Sequence, residues 1–173
     1  FPHQMSGGMK QRVVGAISIS CEPSVIIADE PTTALDVTIQ LQYLRLLKDI
    51  QAKTGLAIIF ITHDFGVVAR MCDRVAVMYA GRIVEEGTCR NLFNSPSHPY
   101  TQALIASVPK LEERVDRLYS IEGQPPLLSN LPEGCRFEPR CPHARDRCLA
   151  EYPPSFTIES GHSADCWKLD ASW

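Results

Sequence analysis

Residues Val25–Asp36 read VIIADEPTTALD, and the opening four residues admit few folds. Val25-Ile26-Ile27-Ala28 is a continuous apolar run, too short for an ordinary helix and rich in β-branched side chains. Such a run suits a strand buried on both faces of a parallel sheet. Asp29 and Glu30 follow where that strand should emerge, and Pro31 stops it. Ligands of open α/β sheets bind beyond the carboxyl ends of the strands. Two adjacent carboxylates there can divide phosphate chemistry, one holding Mg2+ and the other positioning or deprotonating a water. An isolated Asp-Glu pair could equally begin a polar turn, so its neighbours decide.

The residues around this strand repeat its logic. Ser6-Gly7-Gly8 precedes a segment in which Val13, Val14, Ile17 and Ile19 fall mostly on one face. Ser6 can cap that helix, and the glycines allow a phosphate to approach the backbone amides at its start. Downstream, a helix is expected over 38–53, with Ile39, Tyr43, Leu46, Leu47 and Ile50 at the spacing of a buried face and Gly55 as its stop. Leu56–Ile61 is a second apolar run ending in Thr62-His63-Asp64, and Asp64 can cap a short helix reaching Met71. This alternation predicts parallel strands joined by helical crossovers. If consecutive strands are neighbours, His63 lies beside Asp29-Glu30, either as a polar loop residue or as a donor to a terminal phosphate.

Further on, Arg74–Tyr79 and Arg82–Glu86 flank Ala80-Gly81 as a tight hairpin. Thr88 caps a short helix, and His98-Pro99-Tyr100 introduces another whose Leu104, Ile105 and Val108 are expected to pack. Composition changes at Pro109: Leu111–Arg117 is charged, and Pro125, Pro126 and Pro132 mark an extended connector. The expected organisation is therefore residues 1–108 followed by an extension over 109–173. The extension has few aliphatic residues and needs a staple.

That staple is sought among seven cysteines, of which Cys135, Cys141, Cys148 and Cys166 crowd into the extension. Gaps of five, six and seventeen residues separate them, with no C-x-x-C knuckle. Four thiolates suit tetrahedral zinc or an iron–sulfur cluster, and without a metal they would be reduced thiols packing a loop-rich module. His143 and His162 are alternative ligands, each read as a surface residue. Seventeen basic against 20 acidic residues, a net charge of −3, give no sign of nucleic-acid binding. No apolar run is long enough to span a bilayer.

Taken together, these motifs resemble the nucleotide-binding subunits of ABC transporters. Met5-Ser6-Gly7-Gly8-Met9 is similar to the LSGGQ signature, Val25–Glu30 to the Walker B strand, Ala34-Leu35-Asp36 to the D-loop, and His63 to the switch histidine. Met5 and Met9 depart from that signature, and Met9 cannot make the hydrogen bonds of Gln. PHQMSGGMKQR, ADEPTTALDVTIQ, SPSHPYTQAL and GCRFEPRCP resemble the dipeptide/oligopeptide importer branch. The implied fold is α/β: the C-terminal part of a P-loop NTPase domain with a mostly parallel sheet, plus a small cysteine-containing extension.

The resemblance also implies roles. Asp29 would hold Mg2+, Glu30 would act on the attacking water, and His63 would contact the γ-phosphate. Ser6, Gly7 and Gly8 would bind ATP held by a second ATPase subunit, with Asp36 helping to build the dimer interface. Cys135, Cys141, Cys148 and Cys166 would hold a [4Fe-4S] cluster, with zinc as the alternative. Implied partners are the second ATPase, transmembrane permease subunits and, indirectly, an extracytoplasmic solute-binding protein, at the cytoplasmic face of the inner membrane. The sequence contains no G-x-x-x-x-G-K-[ST]. A phosphate-cradling loop is therefore expected upstream of Phe1, and this piece alone is expected to be inactive. Competing readings are a nickel or other small-solute importer, a soluble ABC ATPase of DNA repair or translation, and a metal-binding module on a degenerate ATPase body.

Overall fold

The computed structural model describes residues 1–33, 35–109 and 119–173. Ala34 and the charged stretch Leu111–Arg117 lie outside the described residues. The chain divides into two compact units, Phe1–Cys72 and Asp73–Trp173.

In the first unit, helix α1 (Gly7–Ile19), strand β1 (Val25–Asp29), helix α2 (Val37–Thr54), strand β2 (Ala57–Ile61) and helix α3 (Phe65–Met71) follow in order. Each helix starts as its sequence dictates. The Ser6 hydroxyl accepts the Met9 N–H, Asp36 accepts that of Ile39, and Asp64 accepts those of Gly66 and Val67. Gly55 closes α2 in the left-handed region at φ 72°, which glycine adopts without a Cβ penalty. β1 and β2 pair in parallel from Val25↔Ala57 to Asp29↔Ile61. Tyr43, Leu44, Leu47, Val67 and Met71 form the core, with Ile58 and Phe60 against it.

Only one face of this pair is covered within the unit. Val25 and Ile27 are 50% and 66% exposed, so β1 is not buried on both faces as its apolar run suggested. On α2 the buried side chains are Tyr43, Leu44 and Leu47, whereas Leu46 faces outward. Val13, Val14 and Ile17 of α1 are likewise exposed. What α1 turns toward α2 is glycine. A Cβ on Gly8 would meet Ile39 Cγ2 at 2.8 Å, and one on Gly15 would meet the Tyr43 hydroxyl at 3.0 Å.

The second unit contains β3 (Arg74–Tyr79), β4 (Arg82–Thr88), helix α4 (Cys89–Asn94), helix α5 (Pro99–Ala106), helix α6 (Asp146–Ala150), β5 (Phe156–Glu159) and β6 (His162–Ala164). Ala80 and Gly81 both have positive φ, 45° and 82°, the backbone of a two-residue hairpin turn that matches strand twist. The four strands form an antiparallel sheet in the order β3-β4-β6-β5. The α/β class stands, but the expected mostly parallel sheet narrows to the β1–β2 pair among the described residues. Short hairpins, not helical crossovers, connect β3 to β4 and β5 to β6, and a hairpin can only pair antiparallel.

Tyr79, Val84 and Phe137 form this unit's core, with Tyr100, Ile121, Cys135 and Cys141 against them. Tyr79 and Phe137 pack edge-on at 5.2 Å between ring centres. Ile121, Cys135, Phe137 and Cys141 of the extension thus share a core with residues of β3, β4 and α5. Of the expected packing residues of α5, Leu104 and Ile105 are partly buried and Val108 is exposed. No helix among the described residues is long and apolar enough to cross a membrane.

Candidate functional site

The parallel register between β1 and β2 brings the acidic strand end and the histidine together. Asp29 is opposite Ile61, and the Glu30 N–H extends the ladder by donating to the Ile61 carbonyl at 2.8 Å. Two residues later, His63 Nδ1 meets Glu30 Oε1 at 3.0 Å. The Thr33 hydroxyl donates to the other carboxylate oxygen at 2.9 Å. Donation from Thr33, followed by that from His63, holds the Glu30 carboxyl below its ordinary value. It is therefore a carboxylate at neutral pH, able to accept a hydrogen bond from water.

Glu30 occupies the left-handed region, φ 42°, which costs a non-glycine residue on the order of 1–2 kcal/mol. Strained backbone of this kind recurs where a side chain must be aimed. The His63 loop is fixed from the other side. Asp64 caps α3 and accepts the Gln40 amide at 3.2 Å, while its own N–H donates to the Thr62 hydroxyl at 3.1 Å. Burial alone would raise the Asp64 carboxyl, but the Gln40, Val67 and Gly66 donors outweigh it and leave it lowered.

The other candidates are placed less closely. Asp29 is exposed beside Glu30 at the strand end. Ser6 and Asp36 are exposed caps of α1 and α2, so each side chain already serves its own helix. Gly7 is exposed, whereas the missing Cβ of Gly8 makes room for Ile39, a packing use that the sequence did not reveal. Thr33, which holds the Glu30 carboxylate, was not singled out either. Its place three residues after an acidic strand end was the available signal.

In the second unit, Cys135, Cys141, Cys148 and Cys166 line one cavity of about 20 Å³. All four thiols are free. Burial pushes Cys135 and Cys166 up to about 11 and raises Cys141. Against this, nearby backbone N–H groups favour thiolate: those of Phe137 and Glu138 at Cys135, of His143 at Cys141, and of Lys168 at Cys166. Amide donors aimed at sulfur stabilise thiolate, the form that binds metal. Among the described residues, no group of three or more His, Cys, Asp or Glu side chains is placed to hold a single metal ion.

His143 lines the same cavity. His162 does not, nor is it a surface residue. It is 2% exposed, and its Nε2 meets Glu85 Oε1 at 2.8 Å. Glu85, 1% exposed, also accepts the Ser97 and His98 N–H groups at 2.8 and 2.9 Å. Burial lowers the His98 imidazole to about 4, with Glu85 opposing the shift.

The family described as ABC transporter matches residues 1–33, and that described as oligopeptide/dipeptide transporter, C-terminal region, matches residues 84–148. The oligopeptide transport ATP-binding protein AppD of Bacillus subtilis is 52% identical over 98% of this chain and 52% of its own length. The dipeptide transport ATP-binding protein DppD of the same organism is 52% identical over 98% of this chain and 51% of its own. For the oligopeptide transport ATP-binding protein OppD of Salmonella typhimurium the figures are 49%, 97% and 50%. The chain thus spans about half the length of the curated relatives it matches. Among solved structures, the ATP-binding cassette MJ0796 bound to ADP and Pi shows a partial likeness: 34% identity over 51% of this chain and 38% of that one, with a TM-score of 0.47. In both matched stretches and in its relatives, the chain is similar to ATP-binding proteins of oligopeptide and dipeptide transport along nearly all of its own length.

Proposed function

We propose that the protein containing this chain hydrolyses ATP to power peptide import, and that Glu30 and His63 act together at the γ-phosphate. The observation that carries this reading is the 3.0 Å contact between them at neighbouring ends of parallel strands. Glu30, held by Thr33 and His63, orients the attacking water through its carboxylate. Its lowered proton affinity suits orientation better than full deprotonation of the water, because a poised base is tuned upward. His63 is exposed and reaches a phosphate oxygen on the same side. Asp29 fits Mg2+ as one exposed carboxylate, since that ion takes one or two carboxylates beside substrate phosphates and water. Bound there, Mg2+ offsets charge on the β- and γ-phosphates.

Ser6, Gly7 and Gly8 would meet ATP bound to a second ATPase subunit, with Asp36 at that interface. Permease subunits, and through them a solute-binding protein, complete the importer. Peptide is the favoured cargo because the family matched at residues 84–148 is the peptide-transporter C-terminal region. With full-length protein, His63→Ala should lower kcat by about 10²–10³-fold, the worth of one aimed electrostatic donor, and leave KM for ATP nearly unchanged. Phosphate release measures it, and an unchanged kcat would remove His63 from the mechanism.

In the second unit, Cys135, Cys141, Cys148 and Cys166 would hold a [4Fe-4S] cluster, one cysteine to each iron. Amide donors at three sulfurs support a thiolate-bound metal over packed thiols. Zinc is the weaker option: at about 2.3 Å from each sulfur it needs thiolates gathered around one point, and no three ligands are so placed among the described residues. When bound, the cluster would tie Cys148 of α6 to the segments that carry Cys135, Cys141 and Cys166. Anaerobically purified protein should carry about four iron and four sulfide per chain, with most of both lost on Cys148→Ser. Stoichiometric zinc without sulfide would replace the cluster assignment.

A further inference from the structure

His63 is brought to Glu30 by its loop rather than by side chains packed around it. Its own side chain is 78% exposed, so the place of the imidazole depends on the backbone of Thr62-His63-Asp64. Asp64 anchors that backbone. Its Oδ1 accepts the Gly66 and Val67 N–H groups at 2.7 and 3.2 Å, contacts confined to its own helix cap. Its Oδ2 accepts from Gln40 Nε2 at 3.2 Å, 24 residues away in the chain. That bond reaches from the start of α3 to α2 and ties the histidine loop to a second helix.

The donor is itself held. Gln40 sits in the first turn of α2, where its N–H donates to the Asp36 carbonyl at 2.8 Å and the Asp36 side chain accepts the Ile39 N–H. Ile39 in turn packs where Gly8 of α1 lacks a Cβ. Gln40 and Asp64 are both half-buried, so water competes less for their contact than at an open surface. A charged acceptor strengthens it further, to roughly twice a neutral hydrogen bond.

We infer that Gln40 is a positioning residue for hydrolysis: through Asp64 it holds the His63 loop so that the imidazole meets Glu30 and the γ-phosphate. This rests on the role given to His63 above. A displacement near 1 Å at a reacting group can cost about 10²-fold in rate, so one anchoring bond is enough to matter. Because Gln40 acts through His63, removing it cannot cost more than removing His63 itself. The loss should appear in kcat and leave KM for ATP unmoved.

The test measures steady-state ATP turnover of the full-length protein, with thermal unfolding to establish that each variant folds. Gln40→Leu, which keeps the bulk and removes the donor, should lower kcat about tenfold at unchanged KM, inside the bound set by displacement. Gln40→Lys retains a donor to Asp64 and should keep most of the turnover. Gln40→Glu sets two carboxylates face to face and should lose at least as much as Gln40→Leu. A role in packing alone would not separate these two long polar side chains, and their contrast decides the matter should Gln40→Leu fail to fold. In a His63→Ala background, Gln40→Leu should cause no further loss. An unchanged kcat in Gln40→Leu, equal losses in Gln40→Lys and Gln40→Glu, or the same tenfold loss with His63 already removed overturns the inference alone. Wild-type kcat in His63→Ala overturns the role of His63 and the inference with it.

Discussion

Glu30→Gln in the full-length protein should bind ATP as wild type does and hydrolyse it about 10²–10⁴-fold more slowly, the usual worth of a positioned acid–base group. Glutamine keeps the size of the side chain and can still accept from Thr33, so the β1 end should keep its shape. What it loses is the charge that His63 and Thr33 stabilise and the strong acceptor for water. Because the side chain is exposed, the substitution should alter stability little. Equilibrium ATP binding and single-turnover phosphate release separate the two effects. Loss of binding in step with turnover would assign Glu30 to nucleotide affinity instead.

Gly134→Ala should disrupt the second unit more than any conservative change in its core. A Cβ at position 134 would meet the Cys148 carbonyl oxygen at 2.1 Å and that of Leu149 at 2.6 Å. Both are backbone atoms of α6 and cannot rotate aside. The adjacent Cys135 N–H donates to the same Cys148 carbonyl at 2.8 Å, so relief would break the contact that brings two cysteines together. We expect a loss of about 3 kcal/mol or more, at the upper end for overpacking. Iron and sulfide content should fall alongside it. Thermal unfolding and metal analysis of the full-length variant check both, and wild-type stability would show that α6 can shift without consequence.

The first unit was legible where chemistry sits at the ends of elements. An apolar run ending in Asp29-Glu30 and another ending in Thr62-His63 located two strand ends, and parallel pairing then brought them together. Helix caps were equally readable, because Ser6, Asp36, Asp64 and Thr88 each act within three residues of themselves. Helix phase was not: Leu44 and Leu46 are both apolar, and only the packed partner selects Leu44. Burial of β1 was overread because an apolar run tells what a strand tolerates, not what covers it.

In the second unit the decisive contacts are long-range. Glu85 looks like an outward residue of an ordinary strand, yet its partners come from Ser97, His98 and His162. The β5–β6 hairpin was missed, although Phe156-Thr157-Ile158 and the turn glycine Gly161 were its signals. Cysteine spacing identified the four thiols but could not show the amide donors around them, since any residue type supplies a backbone N–H.

The most direct measurement is a double-mutant cycle on ATP turnover in the full-length protein with its permease subunits: wild type, Glu30→Gln, His63→Ala and the double variant. If the two residues form one hydrolytic unit, the double variant should be no slower than the slower single variant, because removing either partner already disables the pair. Losses that multiply, or wild-type turnover in either single variant, would contradict it.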